Sequence, residues 1–170
     1  KDLEEAEELY HRISSPTLNT LELRRRALCL FRLGRYPECI QLCEKAQENG
    51  RVAALTELEG LIFQLHESFA KAADRFRWLI QNHQKSPQFL LKYSACLFRL
   101  GKLNKAKDAV DQAASQISED SVEEQITVSQ TYAEYGELER AIQHAYLALK
   151  AGEDVPRAHQ YYISLFLLRG

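Results

Sequence analysis

Apolar residues recur along this chain at spacings of three, four and three, which places them on one face of a helix. Leu3, Ala6, Tyr10 and Ile13 open the pattern. It returns as Tyr36, Cys39, Cys43 and Ala46, then as Phe69, Ala72, Phe76 and Leu79. Leu103, Ala106, Val110 and Ala113 form the next set, and Leu138, Ala141, Ala145 and Ala148 the last. Ahead of these sets stand the small residues Ala27, Gly60, Ser94 and Ser129. A small side chain there lets two helices approach closely, where a Leu would overpack the contact. No alternation of the strand type competes with this reading.

The pattern is a repeat. Cys29-Leu30-Phe31-Arg32-Leu33-Gly34 returns unchanged as Cys96-Leu97-Phe98-Arg99-Leu100-Gly101. Glu67 stands midway at the place of the glycine, and Gly136 and Gly170 continue the series, so the period is 33–35 residues. Internal repeats of this length mark stacked supersecondary units. The pattern predicts about ten helices. One covers roughly residues 2–14, four pairs lie near 17–49, 52–83, 86–117 and 120–151, and a last helix covers about 155–169. In units, these are a partial repeat 1–14, repeats 17–50, 51–85, 86–119 and 120–154, and a partial repeat or capping helix 155–170, all in one repeat domain over 1–170. Ser15-Pro16, Ser86-Pro87 and Asp154 before Val155-Pro156 read as N-caps with Pro in the first turn. Ser121 with Glu124 reads as a capping box. Gly34, Asn49-Gly50, Gly101, Gly136 and Gly152 read as C-terminal stops.

Leu33-Gly34-Arg35-Tyr36, Leu100-Gly101-Lys102-Leu103, Ala106, Ala141, Phe76, Ala148 and the helix-opening prolines resemble the tetratricopeptide repeat over nearly the whole chain. Glu67 departs from that pattern where Gly is usual, and Arg26 and Glu59 where Leu is common. The resemblance implies an all-α fold, a right-handed α-solenoid of stacked helix-turn-helix repeats whose first helices line a groove. It also implies a non-catalytic protein-protein interaction scaffold that binds a partner peptide or helix in that groove. A solenoid offers a long continuous surface that suits such a role. The alternative from another class is a substrate-recruiting or regulatory arm of a larger enzyme whose catalytic domain lies outside these residues.

Helical phase then selects candidate groove residues: Arg24, Leu28, Phe31, Arg32, Leu61, Leu65, Leu91, Lys92, Phe98, Arg99, Ile126 and Gln130. The floor is apolar, with basic residues in the first and third repeats and acidic ones, such as Glu123, in the fourth. That suits a protein or peptide segment with apolar anchors and acidic character. Arg32 and Arg99 hold equivalent places and either serve such a partner or form ordinary surface pairs. The tetratricopeptide mode that grips the acidic tails of heat-shock chaperones needs Asn where this chain has Leu28 and Leu61. Leu cannot hydrogen-bond a carboxylate, so a chaperone tail is not the expected partner.

Composition narrows the chemistry. The chain is 45% apolar and 27% charged, with a formal net charge of −2. That balance argues against binding driven by nucleic-acid phosphates, so no nucleic acid is expected. The longest apolar run, Tyr161 to Leu168, is far too short to span a bilayer, so no membrane is expected either. Cys29, Cys39, Cys43 and Cys96 all fall at core positions and lack disulfide-framework spacing, which points to a reducing, cytoplasmic location. Cys39 and Cys43 share a helix face, which is either core packing or half of a metal site without its other ligands. The histidines His11, His66, His83, His144 and His159 form no ligand pair, and no nucleophile stands beside a His in a known order. No cofactor, no metal and no enzymatic activity are expected. The chain contains no Met and starts at Lys1, and reads as a fragment or processed product. Its last helix is apolar nearly all round, either because further chain covers it or because it is a capping helix with apolar exposure.

Overall fold

A computed structural model of the chain describes residues 4–5, 8, 20–47, 50–82, 86–152 and 156–169. Among the described residues there are nine helices and no strands. They are α1 (Thr20–Arg32), α2 (Tyr36–Ala46), α3 (Ala53–Leu65), α4 (Phe69–Asn82) and α5 (Pro87–Arg99). Next come α6 (Leu103–Ala114), α7 (Val122–Glu134), α8 (Leu138–Ala151) and α9 (Pro156–Arg169). The predicted pairs are thus α1–α2, α3–α4, α5–α6 and α7–α8, each packed together, with α9 as the further first helix. The helix predicted over 2–14, the Ser15-Pro16 cap, Asn49, Asp154 and Val155 lie outside the described residues, Glu4, Glu5 and Glu8 excepted.

The turns inside the pairs are alike to the hydrogen bond. Gly34, Glu67, Gly101 and Gly136 all take positive φ, at 73°, 56°, 73° and 77°. The next N–H then reaches back five residues: Arg35 to the Leu30 carbonyl at 3.0 Å, Ser68 to Phe63 at 2.8 Å, Lys102 to Leu97 at 2.9 Å and Glu137 to Tyr132 at 2.9 Å. This is the Schellman closure, which satisfies orphan carbonyls through one left-handed residue.

Helix starts follow a different rule from the one expected. The Ser86 backbone is extended before Pro87, but its side chain makes no cap bond; its carbonyl accepts from Phe89 and Leu90 at 3.0 and 3.2 Å. The capping box at Ser121 and Glu124 is not formed, since Ser121 also makes no side-chain cap bond. Gln125 instead ties the helix to the loop before it, its Nε2 donating to the Ser118 carbonyl at 3.0 Å while its own N–H reaches the Ser121 carbonyl at 2.9 Å.

Inside each pair the helices meet at the small residues. Ala27, Gly60, Ser94 and Ser129 are all buried, opposite Cys39, Ala72, Ala106 and Ala141, which are fully buried. In the first pair the Cys39 thiol donates to the Ala27 carbonyl at 3.2 Å. In the third and fourth the direction reverses: the Ser94 hydroxyl donates to the Ala106 carbonyl at 2.9 Å and Ser129 to Ala141 at 2.5 Å. In the second, a Cβ on Gly60 would meet the Phe76 ring at 2.9 Å. One geometric need, close approach, is thus met by three different chemistries.

The leading position of each of the four described apolar sets is less enclosed than its spacing predicts. Tyr36, Phe69 and Leu138 are half-buried and Leu103 is exposed, because each opens its helix just after the turn. Cys39, Cys43 and Cys96 are buried free thiols, whereas Cys29, predicted to be a core residue, is only half-buried. Burial pushes the Cys96 thiol up to about 11, which keeps it protonated and unreactive near neutrality.

The chain divides into two compact units, residues 1–83 and 84–170. In the first, Ala27, Leu30, Cys39, Cys43, Leu55 and Ile62 form one core. In the second, Leu97, Val110, Val128, Tyr132, Ala145 and Leu165 belong to another, with Ile126, Ala148 and Ala158 as a satellite.

Candidate functional site

In the second unit the first helices α5, α7 and α9 lie side by side, and two clefts open at equivalent places between them. The cleft between α5 and α7, about 220 Å³, is lined by Gln88, Leu91, Glu123, Glu124 and Thr127, with Pro87 and Ile117 at its end. The cleft between α7 and α9, about 340 Å³, is lined by Ile126, Gln130, Arg157, Gln160, Tyr161 and Ser164. Arg157 and Glu123, both well exposed, pair across α7 and α9 at 3.1 Å and stand at the boundary between the clefts. Thr127 and Ser164 turn their hydroxyls back onto the Glu123 and Tyr161 carbonyls, at 2.8 and 2.7 Å. The amides of Gln130 and Gln160 are exposed on this face.

Of the residues chosen from sequence, the structure brings Ile126 and Gln130 into one cleft and Leu91 and Glu123 into the other. Ile126 is 1% exposed, packed with Ala148 and Ala158, so it is floor rather than contact surface. Phe98 lines neither cleft; its ring stacks on Tyr135 with centroids 4.4 Å apart. Lys92 is half-buried with its ammonium 5.9 Å from the Phe89 ring, and Arg99 is exposed. In the first unit Arg24, Arg32, Leu28 and Leu65 are exposed, Leu61 is half-buried, and Phe31 packs its ring 5.7 Å from Tyr36. Sequence reasoning left out Arg157, Gln160, Tyr161 and Ser164. The missing signal was positional: Gln160 falls in α9 where Leu91 and Ile126 fall in α5 and α7.

This unit also carries a polar network across α6, α7 and α8. Asp111 accepts from the Tyr132 hydroxyl at 2.6 Å and from Arg140 at 2.8 Å. Arg140 also lies over the Tyr132 ring, 5.5 Å from its centroid, and the His144 ring stacks on that of Tyr132 with centroids 5.4 Å apart. The His144 Nδ1 sits 2.7 Å from the Gln125 Oε1. Burial holds His144 below its ordinary value, and the Lys107 ammonium paired with Glu137 holds that carboxyl below its own. Burial, with the hydrogen bond to Asp111, raises Tyr132 above the ordinary phenol range. Every charge here is answered by a neighbour, which ties adjacent repeats together. Among the described residues no three His, Cys, Asp or Glu side chains converge as a metal site would need, and no helix is long and apolar enough to cross a membrane.

No protein-family model and no curated protein sequence matches the chain. Solved structures do match it. YrrB, a TPR protein with an unusual peptide-binding site, superimposes with a TM-score of 0.66 at 14% identity, over 89% of this chain and 78% of its own. The C-terminal part of a TPR repeat-containing protein from Cytophaga hutchinsonii gives 0.77 at 14% identity, over 96% and 65%. A thermophilic TPR protein of Thermus thermophilus gives 0.71 at 16% identity, over 97% and 91%. The fold is therefore that of the tetratricopeptide-repeat proteins, an all-α solenoid of helix-turn-helix repeats.

Proposed function

We propose that the chain is a non-catalytic protein-interaction scaffold whose first helices receive a peptide or helical segment of a partner. The observation that carries this reading is the pair of clefts at equivalent places between α5, α7 and α9. A segment laid across these helices meets the same kind of site once per repeat, which is how a solenoid turns periodicity into an extended binding surface. The exposed amides of Gln130 and Gln160 and the Thr127 hydroxyl offer hydrogen bonds to a partner backbone, and Leu91 offers an apolar contact. The first unit adds exposed Leu28, Leu65, Arg24 and Arg32 on its own first helices. YrrB, with its peptide-binding site, supports the reading, since a protein of this fold can carry one.

A peptide selected from a random library on the chain provides the test. Gln160→Arg and Thr127→Arg each place a bulky charge at an exposed cleft position and should weaken that peptide by about tenfold or more. Circular dichroism of both variants should be unchanged. Wild-type affinity in both would move the site off this face. Phe98→Ala is the wrong probe, because removing a ring stacked on Tyr135 tests packing before it tests a partner.

A further inference from the structure

Helix α9 breaks a rule that the rest of the chain keeps. Counting from the first residue of each first helix, Thr20, Ala53, Pro87 and Val122, the same step reaches Ala27, Gly60, Ser94 and Ser129. From Pro156 it reaches Ile163. The earlier positions tolerate almost nothing: one Cβ on Gly60 would lie 2.9 Å from a ring, and the serine hydroxyls already touch backbone at 2.9 and 2.5 Å. A branched Ile fills that gap, so a helix cannot pair with α9 as α6 pairs with α5. Instead Ile163 is 56% exposed, Phe166 54%, Leu167 75% and Leu168 74%.

We propose that this face is the two-fold interface of a homodimer, with α9 of one copy crossing α9 of a second. Three observations favour a second copy. First, the shape complements itself. Tyr162–Phe166 and Ile163–Leu167 are two rows of residues four apart, with a shallow depression of about 200 Å³ between them. A row of this spacing packs into a groove of the same spacing, and a two-fold axis supplies each groove with the other copy's row. Second, no charged residue occurs from Tyr161 to Leu168, so self-apposition brings no like charges to the axis. Third, the area reaches the lower end of what a stable dimer buries. Together with Tyr146, 53% exposed and 6.1 Å from the Tyr162 ring, these side chains leave apolar surface open. It amounts to on the order of 600 Å², against the roughly 800 Å² per partner of a standard interface.

Sedimentation equilibrium of the 170-residue chain, from micromolar to sub-millimolar concentration, is the test. The chain should show a monomer–dimer equilibrium, and Leu167→Glu should raise its dissociation constant by at least about tenfold without changing helicity. Under mild oxidation Ile163→Cys should cross-link to itself at the axis. Lys105→Cys, on the exposed side of α6, should cross-link no more than wild type, whose Cys39, Cys43 and Cys96 are buried and whose half-buried Cys29 sets the background. A monomer throughout, a dimer indifferent to Leu167→Glu, or an open series of larger species would each overturn the proposal. Peptide binding at the α5–α7–α9 clefts is read separately and is unaffected by any of these outcomes.

Discussion

Glu67 occupies a backbone conformation that its counterparts in the repeat leave to glycine. Its φ of 56° matches the 73°, 73° and 77° of Gly34, Gly101 and Gly136, and its turn closes with the same hydrogen bond back over five residues. The sequence showed the departure; the backbone shows that the turn kept its shape regardless. A left-handed conformation costs a residue with a Cβ roughly 1–2 kcal/mol. Glycine gives some of this back through its freer unfolded chain. Glu67→Gly should therefore stabilise the chain by roughly 0.5–1 kcal/mol, read from the urea midpoint at an unchanged slope. A lower midpoint would mean that the Glu67 side chain contributes more than its backbone costs.

Between elements, the informative residue is Glu59 on α3. Read alone, it is an acid where an apolar residue is common. In the structure it is 3% exposed and held by two other helices. Arg75 of α4 donates to its Oε2 at 2.6 Å, and the Gln47 side chain, just after α2, donates to its Oε1 at 3.1 Å. The Gln47 carbonyl accepts in turn from the Thr56 hydroxyl and the Val52 N–H, at 2.8 and 3.1 Å. Arg75 also lies 5.4 Å from the Phe63 ring centroid. Helical spacing could name the odd residue, but its partners come from neighbouring helices, and periodicity carries no information about them. The same is true of Phe98, whose stacking on Tyr135 follows from how one pair meets the next. A buried ion pair is costly to break from one side and cheap to replace as a whole. Arg75→Ala strands a buried carboxylate and should cost about 3 kcal/mol or more, whereas Glu59→Leu should cost about 1 kcal/mol or less, since partly exposed Arg75 can turn to water. Denaturant titration of both variants checks the order; if Glu59→Leu proved the more damaging, the network would be a source of stability in its own right.

At the scale of the molecule, the repeat was legible because it rests on local rules. A left-handed turn residue, a small residue at the close approach and an apolar face recur in phase, and each leaves a mark in the sequence. The candidate site was legible only in part, because a cleft is made by two repeats together. The α5–α7 cleft was found from both sides, in Leu91 and Glu123, whereas the α7–α9 cleft was found only in Ile126 and Gln130 and its α9 residues were not. The division into two units, each with its own buried core, was not visible at all. It has a consequence for stability, since in a solenoid each repeat contributes its own free energy plus that of its contacts with neighbours. Gly60→Leu forces a side chain into the Phe76 ring, deep in the first unit. Overpacking of about 1–3 kcal/mol should speed amide exchange in α1–α4 by roughly tenfold to a hundredfold. Amides of α5–α8 should keep their wild-type protection in the same sample, resolved by mass spectrometry of peptides from each unit. Equal acceleration in both would show that the chain opens as one cooperative body, and that the two cores, though separate, are not independent in stability.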